Sequence, residues 1–225
     1  MTDGEGRATE YTTVDGEHLH ELEVKRSRFL AYLRRTEDEE QARAFVAELR
    51  RAHHDARHHC SAFVLGPDRR VQRSNDDGEP SGTAGAPMLE ALLKRETAED
   101  EAALSDVTAV VVRYFGGVLL GAGGLVRAYS AAVSSALDTA PLLRRRRMRL
   151  FGIDAPHAAA GRLENELRAA GVQVLGTDYA PAAARLRVAL PDAAGAGGDF
   201  DARLAALTAG TTRADGLGTA WVDLA

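Results

Sequence analysis

With 225 residues, 45% of them hydrophobic and 27% charged, the chain has room for one large packed domain or two small ones. A net charge of -5 excludes a generic nucleic-acid coat, and a single cysteine, Cys60, excludes an internal disulfide framework. The polar, acidic opening MTDGEGRATEYTTVDGE has no apolar run of the kind a secretory signal needs, so cytoplasmic residence is expected.

Asp15-Gly16 is a hairpin-turn signal between extended stretches. SRFLAYL (27–33) reads as a strand. Thr36 and Glu39 then form a capping box, and Ala42, Phe45, Val46 and Leu49 fall on one stripe, which predicts a helix to about His53. CSAFVLG (60–66) is a strand in which Cys60 reads as a small buried apolar residue rather than a nucleophile. Gly66-Pro67-Asp68 turns the chain, and VQRS (71–74) is its hairpin partner. The polar loop SNDDGEPSGTAGAP (74–87) leads into a helix with Pro87 in its first turn and Met88, Leu89, Leu92 and Leu93 as its apolar stripe.

DVTAVVVRYF (106–115) is the strongest strand, and its β-branched run Val110–Val112 predicts burial on both faces. GGVLLGAGG follows as a loop. LVRAYSAAVSSALDTA (125–140) is a helix with Leu125, Tyr129, Ala132, Val133 and Ala136 facing inward. The stretch Gly116–Leu137 approaches a membrane span in length. Arg127 near its centre costs about 2.5–3.5 kcal/mol on insertion, and five glycines weaken it further, so it reads as loop plus helix.

Pro141 ends that helix, and Arg144–Arg147 reads as a solvated linker or a nucleic-acid contact. RLFGID (149–154) restarts the pattern as a strand, with Asp154 placed to cap a helix from Pro156 that carries Leu163 and Leu167 inward and stops at Gly171. VQVLGTDY (172–179) and ARLRVAL (184–190) are strands. A helix from Asp199 or Asp201 and the strand TAWVDL (219–224) follow. This β-α-β-β-α-β order is the split βαβ arrangement. The expected fold class is therefore α+β in two domains, residues 1–143 and 148–225, the first with one helical layer.

Charge is unevenly distributed. From Asp76 to Asp106 there are nine acidic and two basic residues; from Arg113 to Arg149 there are seven arginines and one acid, Asp138. A localised anion contact therefore remains open despite the acidic total. In RYFGGVLLGAGGLVRAY (113–129), a glycine-rich loop joins a buried strand to a helix N-terminus. Such a loop lets backbone N–H groups approach an anion, and Arg127 one turn in adds a charged fork. The spacing fits neither the P-loop nor the dinucleotide fingerprint. Tight turns and close helix–sheet packing explain the same glycines equally well.

In the polar loop, Asp76, Asp77 and Glu79 are carboxylates able to hold a divalent cation together with His58 or His59, and an acidic turn capping the next helix explains them as well. His58 and His59 fall on opposite faces of a strand, which separates them. KRSRF (25–29) sets basic residues beside an aromatic, either as a phosphate contact or as a protected strand edge.

KRSRFLAYL, the histidine pair before CSAFVLG, SNDDGEPSGTAG and RYFGGVLLGAGGLVRAY, in this order, resemble the bacterial YigZ/IMPACT family over about Lys25 to Tyr129. The resemblance implies an N-terminal ribosomal-protein-like α+β domain, similar to domain IV of elongation factor G. It implies a C-terminal ferredoxin-like domain similar to that factor's domain V. It suggests an RNA or ribosome connection and supplies no catalytic set, metal or cofactor.

The leading expectation is a non-enzymatic, translation-associated protein whose partner is RNA, the ribosome or a translation-associated protein, with no membrane. Its candidate contacts are Arg28, His58, Asp76, Asp77, Glu79, Ser81, Arg113, Gly116, Gly117, Gly121, Gly123, Gly124 and Arg127. A phosphate-ligand enzyme using Asp76, Asp77 or Glu79, and an adaptor binding protein through the ferredoxin-like sheet, are the alternatives.

Overall fold

The structure is a computed structural model and describes residues 8–97, 103–192 and 196–224. The first seven residues, read above for targeting, lie outside it. Two compact units divide the described chain, the first ending at Arg144 and the second running from Arg145 to Leu224.

In the first unit, β1 (Glu10–Val14), β2 (Glu17–Val24) and β3 (Ser27–Arg35) precede α1 (Glu39–Ala52). Then come β4 (His58–Leu65), β5 (Val71–Asn75), α2 (Gly85–Lys94), β6 (Val107–Tyr114) and α3 (Ala122–Thr139). A five-stranded sheet forms in the order β2-β3-β6-β4-β5, and the pairs β2–β3, β3–β6, β6–β4 and β4–β5 are antiparallel. The expected hairpin of VQRS with CSAFVLG is present as β4–β5. Asp15-Gly16 does turn, with Gly16 at φ 75°, but it makes no hairpin, because β2 pairs with β3. Instead β1 lies along the segment before β6: Ser105 N donates to Thr12 O at 2.8 Å, and the Asp106 carboxylate accepts from Tyr11 Oη.

The central strand β6 is buried on both faces, as its β-branched run predicts. Val107, Ala109 and Val111 pack under α2 and α3 with Phe29, Leu33, Met88, Tyr129 and Val133. Val110 and Val112 pack with Phe45 and Leu49 of α1. The unit thus has helices on both faces of its sheet, not the single layer expected. Alternation sends one set of β3 and β6 residues to each side, and both sets are apolar. Asp38, not Thr36, caps α1: its carboxylate accepts from Gln41 N at 2.8 Å, while Thr36 is drawn inward to Thr108 Oγ1 at 2.6 Å.

The second unit carries most of β7 (Leu142–Ala155), then α4 (His157–Ala169), β8 (Gln173–Tyr179), β9 (Ala184–Pro191), α5 (Ala196–Thr208) and β10 (Ala214–Leu224). Its strands order as β8-β9-β7-β10, the split βαβ arrangement. Ile153, Leu163, Leu167, Leu186, Val188, Phe200 and Leu204 form its core. Two expectations are corrected here. Arg144–Arg147 is strand, not linker: Arg145 donates to Asp223 and Arg147 to Asp192, so acids on neighbouring segments neutralise the run. Asp154 caps nothing; it pairs with Arg185 across the sheet, and Pro156 is the N-cap of α4.

Candidate nucleic-acid interface

The β2–β3 connection has only two residues, because Val24 and Ser27 are already paired. A two-residue hairpin needs a mirror-image turn with positive φ, which asparagine and glycine fill best. Here Lys25 sits at φ 47° and Arg26 at φ 67°, both exposed. Side chains other than glycine cost roughly 1–2 kcal/mol each in that region.

The glycine-rich loop is clamped to this turn. A Cβ on Gly116 would lie 2.0 Å from the Arg26 carbonyl carbon and 2.4 Å from Ser27 N, and Gly116 N donates to Ser27 Oγ at 3.2 Å. Gly117 at φ 83° reverses the chain. Leu119 is 83% exposed, beside the exposed Phe115 and Val118. Gly121, at φ 69°, is the N-cap of α3. The helix starts three residues earlier than expected and takes Gly123 and Gly124 into its first turn, because glycine without a Cβ still fits a helical turn closed by tertiary packing. That turn has no side-chain cap and no acidic residue, so its N–H groups face outward with the positive dipole end. A Cβ on Gly124 would press on Leu120 at 3.0 Å, whereas one on Gly123 would meet only Arg127 Nη1, at 3.8 Å. Arg127 is exposed one turn in.

The other candidates are spoken for. Arg113 turns inward, 8% exposed, and its Nη1 donates to Glu79 Oε1 at 2.6 Å. Tyr129 Oη donates to the same oxygen at 2.7 Å. Arg28 donates from Nε and Nη2 to Glu21, at 2.6 and 3.1 Å, and lies over Tyr114. Asp77 accepts from His59 N at 2.6 Å and from Arg50 at 2.7 Å. His58 Nδ1 donates to Asp77 O at 2.9 Å, and His59 Nε2 to His53 O at 3.1 Å, so each histidine is held by backbone. Ser81 is exposed on the same loop. Burial pushes the Cys60 thiol up to about 12, which keeps it protonated and matches its reading as a core residue.

Asp76 explains the loop sequence. Its carboxylate accepts from Gly82 N at 2.8 Å, Ala84 N at 3.0 Å and Gly85 N at 2.7 Å, capping α2 from a distance where Ala84 has no side-chain bond to give. Burial pushes this carboxyl up, but the three backbone donors outweigh it and hold it below its usual value. Its stabilisation is therefore complete above the unfolded value of about 3.9 and is lost as pH falls through the lower folded value. Asp76→Asn is expected to lose about 1–2 kcal/mol at neutral pH. In urea unfolding the gap to wild type should close below about pH 4; a gap that stays constant would remove the carboxylate from this role.

Of the KRSRF stretch, only Arg28 stands among the contacts expected from sequence. The signal for Lys25 and Arg26 was the two-residue spacing between strands, legible only once the stretch before them is known to pair. Phe115 and Leu119 were apolar letters in a glycine loop, with nothing to say which way they face.

The Impact N-terminal domain model matches residues 25–137, which begin at the strained turn and end in the last turns of α3. The IMPACT family member YvyE of Bacillus subtilis (strain 168) is 46% identical over 158 residues, 70% of each chain. The IMPACT family member YigZ of Escherichia coli (strain K12) is 41% identical over 191 residues, 84% of this chain and 89% of that one. A crystal structure of a hypothetical protein, 36% identical, superposes with a TM-score of 0.60 over 92% of this chain and 96% of the other. The turn, the acidic loop that caps α2 and the glycine clamp thus lie inside a shared unit, and the chain belongs to the IMPACT family.

Proposed function

We propose that the protein binds RNA phosphate, in free RNA or on the ribosome, through Lys25, Arg26, Arg127 and the N-terminal turn of α3, and acts in translation as a binding protein. The observation that carries this reading is the β2–β3 turn: two cations occupy a left-handed turn that asparagine and glycine would fill with less strain. The turn is seated on Gly116, next to a helix N-terminus without acidic residues. Phe115 and Leu119 beside it offer exposed apolar surface on which unpaired bases stack or pack. The phosphate-ligand enzyme needs a carboxylate of the acidic loop at this surface, and Asp76, Asp77 and Glu79 are each engaged elsewhere.

The turn provides a test in which stability and binding move in opposite directions. Lys25→Asn with Arg26→Gly is expected to raise stability by about 1–2 kcal/mol and to weaken single-stranded RNA binding roughly tenfold at low salt. Thermal unfolding and fluorescence anisotropy read the two effects. A variant that gains stability and keeps full affinity would leave the turn without its proposed role.

A further inference from the structure

The face of the sheet opposite α2 and α3 carries a groove of its own. α1 packs over β4 and β6, and beside it a groove of about 430 Å³ opens over β4 and the edge strand β5. Val46 and Glu39 of α1 line it together with Ser61 and the largely buried Phe63 of β4. Three guanidiniums rim it: Arg43 and Arg50 from α1, and Arg73, directly opposite Phe63 on β5. Arg43 and Arg73 share one acid, Glu39, at 2.5 and 3.6 Å, while Arg50 takes Asp77 at 2.7 Å. Among the described residues three cations thus meet two carboxylates, and each guanidinium has five N–H donors in a fork that matches phosphate. The volume lies in the range of small-ligand sites. An apolar lining with a cationic rim suits a ligand that joins a flat ring to a phosphate.

We infer that this groove binds one nucleotide unit, its ring against Val46 and Phe63 and its phosphate displacing the Glu39 carboxylate from between Arg43 and Arg73. The nucleotide can be free or part of an RNA strand, and the site is independent of the Lys25–Arg127 surface. It is tested by amide NMR shifts of the labelled full chain at low salt, titrated separately with adenosine monophosphate and with a short oligouridylate. Either ligand should shift the amides of Val46, Ser61 and Phe63. Response to the monophosphate identifies a free nucleotide as ligand, and response to the oligomer alone identifies RNA. Arg43→Ala with Arg73→Ala removes two mostly exposed side chains (74% and 61%) and should leave the melting temperature unchanged while weakening binding at least about tenfold. Arg127→Ala should leave these shifts intact, which separates failure here from failure of the loop surface. Absence of shifts with both ligands into the millimolar range, or equal shifts in the double variant, overturns the inference.

Discussion

Glu79→Ala is expected to destabilise the first unit by about 3–5 kcal/mol, the largest effect of any single change considered, because it strands a buried guanidinium. Arg113 is 8% exposed and Glu79 3% exposed. With the carboxylate gone, Arg113 loses its ion-pair partner, and the Tyr129 hydroxyl loses the acceptor 2.7 Å away. The Cys60 thiol, 3.3 Å from that hydroxyl, has no charge to offer in exchange. Glu79→Gln keeps an oxygen for both donors and should lose less. Replacing both partners by apolar residues of similar size, Glu79→Leu with Arg113→Met, should recover much of the loss. Urea unfolding followed by circular dichroism measures all three. A Glu79→Ala variant within about 1 kcal/mol of wild type would mean that water reaches Arg113 and the pair is not buried in solution.

Gly116→Ala is expected to cost about 3 kcal/mol, at the upper end of overpacking, because the atoms in the way are backbone and cannot rotate aside. The added methyl would sit 2.0 Å from the Arg26 carbonyl carbon and 2.1 Å from its oxygen, so either the loop or the strained turn must move. The neighbouring glycines separate the causes. Gly117 has open space but φ 83°, so alanine there should cost about 1–2 kcal/mol. Gly123 has neither a clash nor a positive φ, and alanine in the helix should be neutral to stabilising by up to about 1 kcal/mol. Calorimetry of the three variants gives the order 116, 117, 123 in decreasing cost. A harmless Gly116→Ala would show that the loop does not clamp the turn.

These two sites also mark how far the sequence could be read. Strands and helices with a strong apolar period were legible: β6, the α3 stripe and the second unit's element order all follow from it. The family signature was legible as a signature, yet its letters divide by physics that one dimension does not display. Gly116 is fixed by a contact with Arg26, ninety positions earlier in the chain, and Asp76 by N–H groups six, eight and nine residues on. Arg113 reads as a ligand cation because it opens the basic segment and the glycine-rich motif, but its pairing with Glu79 depends on how the acidic loop folds over the sheet. The arginine run Arg144–Arg147 misled for the same reason: its counter-charges come from Glu10, Asp192 and Asp223. The second helical layer was missed because α1 precedes the strand that completes its binding face.

The central claim is that the Lys25–Arg26 turn and Arg127 meet RNA phosphates, and it is tested most directly by the salt dependence of RNA binding. Three cations on single-stranded phosphates release counterions, so log affinity should fall against log salt with a slope of about -2. Arg127→Ala, which removes an exposed side chain at the α3 N-terminus, should lower the magnitude of that slope to about 1.4 without changing the unfolding midpoint. An unmeasurably weak interaction at low salt, or a slope that is unchanged by Arg127→Ala, would contradict it.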